Sequence, residues 1–183
     1  MQNTIRQYLE GVANSTSRRF LQLILDALGD RYSSVTLQNP GMVISSGGAT
    51  TAKIGSTSLV YISRGIPVAI AGSTTLPVLT INSVGYAIGA GSFGIVGFYG
   101  DAAGNLYAGF GIPGATLAKA TFPTVAMTSP TTATTIALDG LACLGYLIIT
   151  YATAFTGGTT PLDTATTIYC APDGAFDPTV LVK

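Results

Sequence analysis

The stretch that decides the fold is residues 93–110, which read FGIVGFYGDAAGNLYAGF. It contains two runs rich in aromatic and β-branched residues, Phe93–Tyr99 and Asn105–Phe110, and residues of these kinds favour strands. Between the runs lies DAAGN, residues 101–105, whose Asp, Gly and Asn are typical of turns. The stretch therefore predicts two strands joined by a turn that Asp101 opens.

The same pattern continues on both sides of this hairpin, from residue 33 to residue 183. Short runs of Val, Ile, Thr and Tyr alternate with clusters of Gly, Pro, Ser and Asn, as in an all-β sandwich or barrel. We expect residues 33–183 to form one mainly β domain, a Gly/Thr-rich β-sandwich or barrel that is jelly-roll-like. The candidate strands are Val35–Gln38, Met42–Ser45, Ala52–Ile54, Ser58–Ser63, Pro67–Ala71, Pro77–Ile81, Val84–Ile88, Phe93–Tyr99, Asn105–Phe110, Thr134–Leu138, Leu141–Thr150, Thr164–Cys170 and Thr179–Val182.

In residues 1–32 the apolar residues have a different spacing from those of the β domain. Here they recur at spacings of three and four, which predicts an amphipathic N-terminal α-helical segment. Gly11 and the polar run 14–17 leave two shorter helices as an alternative. We expect the segment to be an anchor or oligomerisation element, and packing on its own β domain is the other interpretation. The candidate interface residues are Ile5, Leu9, Val12, Phe20, Leu21, Leu23, Ile24 and Leu28.

Charged residues are scarce in this chain. It has 8 Lys+Arg, 8 Asp+Glu and no His, so that charged residues make up 9% of it, against about 25% in an ordinary soluble domain. Seven of them fall within residues 1–31, so the β domain is the charge-poor part. A monomer of this size exposes roughly 8,000 Å², and so few charges protect that surface poorly against association. We therefore expect copies of the chain or another protein to cover much of it.

The same composition excludes several classes of function. A formal net charge of +0 supplies no basic field for phosphate contacts, so we expect no nucleic-acid partner. Without His, the usual serine and cysteine catalytic centres and imidazole zinc sites are excluded. Gly, Pro, Ser and Thr interrupt the apolar runs too often for a membrane helix. We expect no membrane segment, no cofactor, no metal and no small-molecule substrate.

Three local patterns invite a chemical interpretation, and each also has a structural one. Residues 89–94 match G-x-G-x-x-G, but a strand-like run follows them instead of a helix, which favours a turn between strands. Cys143 and Cys170 flank a predicted hairpin that turns near residues 157–158, and they fit either two buried thiols or a disulfide. The carboxylates of the β domain all lie in turn sequences, which explains them without catalysis: Asp101, Asp139, Asp163, Asp173 and Asp177.

Four stretches of the β domain form a recognisable set: residues 98–107 (FYGDAAGNLY), 139–150 (DGLACLGYLIIT), 154–163 (AFTGGTTPLD) and 176–178 (FDP). They combine a strand with a Leu-Gly-Tyr centre, a Gly/Thr-rich turn and an Asp-x-x-Gly-Asn hairpin. In this combination the chain resembles structural proteins of tailed-phage virions. The resemblance covers about half of the chain and leaves out the N-terminal segment.

The resemblance implies a non-enzymatic virion component, most like a capsid decoration (cement) protein. Such a protein is expected to form a homotrimer, to bind the major capsid protein and to bridge neighbouring capsid subunits. Its place is the virion, after assembly in the host cytoplasm. The resemblance brings no active-site residues with it. Two alternatives stay open, a tail fibre, spike or baseplate component that contacts a host receptor, and a secreted adhesin-like β module.

Overall fold

The structure is a computed structural model that describes residues 34–45, 49–127 and 134–162, and residues 166–170 as backbone. These residues are mainly β, as the sequence predicts, and they contain one short 3-10 helix, Leu117–Lys119. The candidate strand Thr179–Val182 lies outside the described residues. The strands are β1 (Val35–Thr36), β2 (Val43–Ile44), β3 (Ala52–Lys53), β4 (Leu59–Ser63), β5 (Ile66–Ile70), β6 (Thr80–Ile81), β7 (Val84–Gly85), β8 (Ala87–Ile88), β9 (Phe93–Gly100), β10 (Leu106–Phe110), β11 (Val125–Met127), β12 (Thr135–Ala137), β13 (Ala142–Thr150), β14 (Phe155–Thr156) and β15 (Thr166–Cys170).

The larger sheet has six strands in the order β12-β11-β10-β9-β13-β15, and each pair of neighbouring strands is antiparallel. β9 to β12 are sequential neighbours, and β13 then returns beside β9, which is a Greek-key type of connection. β9 and β10 are the two strands of residues 93–110: Gly100 lies opposite Leu106, and the N–H of Asp101 donates to the carbonyl of Asn105 at 3.1 Å. The predicted hairpin is confirmed.

β9 is buried on both faces of this sheet. Val96 and Phe98 on one face belong to the main core, and Ile95 and Tyr99 on the other are 1% and 5% exposed. The Tyr99 ring lies over Gly97, where an added Cβ would come within 2.5 Å of the Tyr99 hydroxyl oxygen. Residues 111–124 fold back over this second face, and Phe122 contacts Tyr146 edge to face at 5.4 Å between ring centroids. The far face of the larger sheet is therefore covered at β9, and Phe122 lies against it at Tyr146.

A three-stranded antiparallel sheet, in the order β1-β4-β5, packs on the core face of the larger sheet. Tyr61 of β4 is 0% exposed and its ring lies under Gly100, where an added Cβ would be 2.5 Å from the ring. The two-stranded pairs β2-β3, β6-β7 and β8-β14 complete the same core. The core residues include Ile54, Leu59, Leu76, Leu79, Ile88, Leu144, Leu147, Ile149, Phe155 and Leu162.

The strand pattern differs from the prediction in three places. Val84–Ile88 is divided into β7 and β8 at Tyr86, whose hydroxyl donates to the carbonyl of Gly111 at 2.7 Å. β11 and β14 were not predicted, because both are short and lack a β-rich sequence run. Each is stabilised by pairing with another strand, since β11 lies between β10 and β12, and β14 pairs with β8. Strands of this kind depend on long-range pairing more than on local propensity.

Candidate interaction surface

The candidate interface residues predicted from the sequence lie outside the described residues. They are Ile5, Leu9, Val12, Phe20, Leu21, Leu23, Ile24 and Leu28, all within residues 1–32. Their role as an anchor or an oligomerisation element stays a prediction. The described residues present a different candidate surface, which is built on the three-stranded sheet.

The turn between β4 and β5 sets the register of this sheet. It has two central residues, Arg64 with φ +50° and Gly65 with φ +75°. Positive φ at both positions is the signature of a type I′ turn, whose twist matches that of two antiparallel strands. Ser63 therefore lies opposite Ile66, and Tyr61 lies opposite Val68. The register assigns alternate residues of all three strands to the same face.

The inner face of the sheet is held on the larger sheet by three hydrogen bonds from side chains to backbone carbonyls. The Thr36 hydroxyl donates to Cys143 at 2.6 Å, and the Ser63 hydroxyl donates to Gly140 at 2.6 Å. The Tyr61 hydroxyl donates to the carbonyl of Asp101 at 2.9 Å. Thr36, Tyr61 and Ser63 are at most 1% exposed, so each bond satisfies a polar group that water does not reach. The sheet is thereby fixed in one orientation.

The opposite side of the sheet is apolar as well. In the register, Val35, Ile62 and Pro67 form one row across the three strands, and Leu37, Val60 and Ala69 form the next row. We call these six side chains the outer apolar face; each of them is half-buried or exposed, and Leu37 is 44% exposed. An antiparallel sheet with one side in water normally alternates apolar and polar residues. The outer apolar face breaks that rule and is a candidate contact surface.

Among the described residues, β5 has no strand partner on the side away from β4, and this edge is poorly suited to binding another strand. Because a two-residue turn makes Ser63 and Ile66 a hydrogen-bonded pair, Pro67 and Ala69 direct their backbone groups away from β4. Pro67 has no N–H, so Ala69 alone offers an outward N–H donor along the strand. A proline on an edge strand hinders strand addition. A partner of this sheet is therefore expected to bind the outer apolar face and not the edge of β5.

The turn at Asp101 is held together by hydrogen bonds to its own carboxylate. Its carboxylate accepts hydrogen bonds at 2.9 Å from the N–H groups of Ala103 and Asn105, at 2.9 Å from the Asn105 amide and at 2.7 Å from the Tyr107 hydroxyl. Partial burial of Asp101 favours its neutral form, but these hydrogen bonds outweigh it and hold the pKa of the carboxyl below its usual value. The carboxylate is thus used to close the β9–β10 turn.

The pKa values of the two tyrosines beside this turn are raised, whereas that of Asp101 is lowered. Burial, together with the charge of Asp101 and with Tyr107, raises the pKa of Tyr61 to about 12. Burial and the hydrogen bond to the carboxylate of Asp101 raise the pKa of Tyr107. Both hydroxyls therefore act as neutral donors at physiological pH, and neither is prepared to act as a base.

The other sequence patterns have structural roles where the structure describes them. Residues 89–92 form a turn between β8 and β9, with the Ser92 N–H donating to the carbonyl of Gly89 at 3.0 Å, so the prediction of a turn between strands is confirmed. Asp139 lies in a turn before β13. Cys143 lies on β13 opposite Tyr99 of β9, and Cys170 on β15 lies opposite Gly145, so the two cysteines occupy neighbouring strands two positions apart. Asp163, Asp173 and Asp177 lie outside the described residues.

In the part of the chain that the structure describes, no group of three or more His, Cys, Asp or Glu side chains is placed to hold a metal ion. No helix in the same ranges is long and apolar enough to cross a membrane.

Charges are few and exposed apolar side chains are many over the whole described surface. The charged residues of residues 34–45, 49–127 and 134–162 are Lys53, Arg64, Asp101, Lys119 and Asp139. Ile112 and Val84 are the most exposed of the large apolar side chains, at 71% and 68%. The others are Leu37, Val43, Ile66, Val78, Leu117 and Val125.

Comparison of the chain with protein-family models, with curated proteins and with solved structures finds no match in any of the three.

Sequence reasoning missed the outer apolar face, although a signal was present. Residues 59–62 read LVYI and residues 66–71 read IPVAIA, so the residues on both sides of each strand are apolar. A strand with one wet side shows alternation, and a continuous apolar run indicates that both sides are covered. The runs alone do not reveal which of the two sides faces the core.

Proposed function

We propose that this protein is a non-enzymatic structural component of a tailed-phage virion, a capsid decoration protein that binds the major capsid protein and bridges neighbouring subunits. The proposal takes the β domain as a jelly-roll-like β-sandwich that acts as a homotrimer. The sequence resemblance described above supports it, and so does the character of the surface.

The observation that carries the proposal is the combination of few charges with large exposed apolar side chains. Of the five charged residues in the described part of the chain, Asp101 is already used by its own turn. Val84 and Ile112 place apolar area in water at two separate points, one at the start of β7 and one after β10. Contacts through such residues gain free energy from apolar burial, at about 25 cal/mol per Å² before the costs of association.

Bridging gives such contacts a structural effect. A protein bound across two capsid subunits has to be removed before those subunits separate, so its binding free energy adds to the stability of the shell. The contact residues of a decoration protein need shape and apolar complementarity, and they need no catalytic group.

The test uses the full chain and shells assembled from the major capsid protein of the same virus. We expect the wild-type chain to sediment as an oligomer at micromolar concentration, to bind the shells and to raise their melting temperature. Ile112→Lys with Val84→Lys should weaken shell binding at least tenfold. The matched control, Ser56→Lys with Thr57→Lys, adds the same charge at exposed polar positions and should bind like wild type.

Two results would overturn the proposal. One is a wild-type chain that stays monomeric and never sediments with shells. The other is equal loss of binding in both double variants, which would attribute the effect to added charge and not to the apolar residues. Electron cryomicroscopy of the bound particle then separates decoration, with many copies over the shell, from a spike or fibre at one vertex.

A further inference from the structure

The outer apolar face lies beside the point where the chain enters the described fold. β1 is an edge strand of the three-stranded sheet, and Val35, its first residue, belongs to the face. The 33 residues before Ser34 are joined directly to this edge. Whatever part of residues 1–33 is apolar is therefore tethered within reach of an apolar surface.

The outer apolar face is small enough for one helix of that segment to cover. β4 and β5 have five residues each and β1 has two, and the two rows of the face lie two residues apart, so the face measures on the order of 10 Å across the strands and about 7 Å along them between backbone positions. Residues 16–28, the later part of the helical segment predicted within residues 1–32, would as a helix be about 20 Å long and about 10 Å across. One such helix laid along the sheet covers both rows of the face.

The chemical character of the two surfaces also agrees. The face carries Val, Leu, Ile, Pro and Ala side chains, and its strands contain no charged residue. The stripe of residues 16–28 contains Phe20, Leu23 and Ile24, while Arg18, Arg19 and Asp26 fall off it. A helix seated by this stripe would keep its charges in water.

The tether decides between this segment and a second copy of the chain. A short connection holds a segment at an effective concentration in the millimolar range. A second copy at micromolar concentration competes at a disadvantage of about a thousandfold for the same surface. An occupant from the same chain is therefore favoured.

We propose that the N-terminal segment, residues 1–33, docks in cis on the outer apolar face of its own β domain, with the stripe around Phe20, Leu23 and Ile24 against the sheet. The segment is then the cover of the three-stranded sheet, and neither the shell anchor nor the oligomer stem. The proposal does not depend on the virion function, because it concerns one chain alone.

Photo-cross-linking of the full chain tests the docking. p-Benzoylphenylalanine placed at the exposed position 69 should attach to a peptide within residues 16–28, in a product that migrates as a monomer and whose yield does not change on tenfold dilution. The same label at position 112, on the segment over the far face of the larger sheet, is the matched control and should give at least tenfold less of this product. A label at position 37, on the opposite edge of the face, is the second reporter.

Leu23→Asp with Ile24→Asp should lower the yield from position 69 at least tenfold while the β domain keeps its near-ultraviolet circular dichroism. The proposal is overturned if the labels at positions 37 and 69 attach to the β domain or to nothing. It is also overturned if the product to residues 16–28 is a dimer that joins isotope-labelled and unlabelled chains. Shell binding by the same labelled proteins is measured separately, so failure of the docking and failure of the virion proposal are distinguishable.

Discussion

Replacing Tyr61 by Phe removes one hydroxyl from the contact between the two sheets and leaves the ring in place. The lost bond is the donation to the carbonyl of Asp101 at 2.9 Å. That carbonyl keeps a second donor, the N–H of Gly104 at 3.2 Å, so it is not left without a partner. We therefore expect a loss of about 1 kcal/mol in the free energy of unfolding, near the ordinary net value of a hydrogen bond and well short of the cost of an orphaned group.

Removing the ring as well should cost far more. Tyr61 is 0% exposed and its ring fills the space under Gly100, so Tyr61→Ala leaves a cavity at the centre of the core. Substitutions of buried aromatic residues by Ala cost about 3–5 kcal/mol. In a chain of this length, 1 kcal/mol corresponds to about 2–4 °C in melting temperature, so the two variants should be clearly separated in urea and thermal unfolding.

The alkaline range supplies the sharper measurement. The pKa of Tyr61 is about 12 in the folded protein and 10.0 ordinarily, so the fold favours the neutral hydroxyl. Its contribution to stability is fully present below pH 10 and is lost as the pH rises through 12. Urea unfolding from pH 8 to pH 12 should show the advantage of wild type over Tyr61→Phe shrinking above pH 10. An advantage that is absent at pH 8, or that stays constant to pH 12, would refute this account of the sheet contact.

Two further substitutions test the β9–β10 hairpin. Asp101→Asn should lower the free energy of unfolding by about 1 kcal/mol at neutral pH, because an amide cannot accept all the hydrogen bonds of the carboxylate. Since the folded carboxyl has a pKa below 3.8, the difference from wild type should persist above pH 3.8 and disappear as the pH falls through the lowered pKa, and a difference unchanged in acid would contradict it. Gly97→Ala should cost about 1–3 kcal/mol, because its Cβ would come within 2.5 Å of the Tyr99 hydroxyl oxygen. Gly89→Ala, whose Cβ would meet its nearest atom at 3.5 Å, should stay within about 0.5 kcal/mol of wild type, and the reverse order in thermal unfolding would count against the packing of Tyr99.

Much of the strand pattern could be predicted from the sequence, because the positions of the turns depend on residues that are close together in the chain. The runs of residues 93–110 are β-rich on both sides of an Asp-x-x-Gly-Asn turn, and Asp101 forms the hydrogen bonds that such a turn uses. The turn between β4 and β5 needs positive φ at two successive residues, and Gly65 at the second of them favours it. Features of this kind depend on neighbours within a few residues.

Tertiary structure alone decided which faces the strands bury. β4 is apolar at every position except Ser63, so its sequence is compatible with either side toward the core; Tyr61 lies inward because its ring fits under Gly100 and its hydroxyl reaches the carbonyl of Asp101. The same choice leaves Val60 and Ile62 on the outer apolar face. β11 and β14 likewise depend on strands far away in the chain. The sequence thus determined where strands form and how scarce charges are, and long-range packing decided which apolar surface the described fold buries and which it leaves for a further contact.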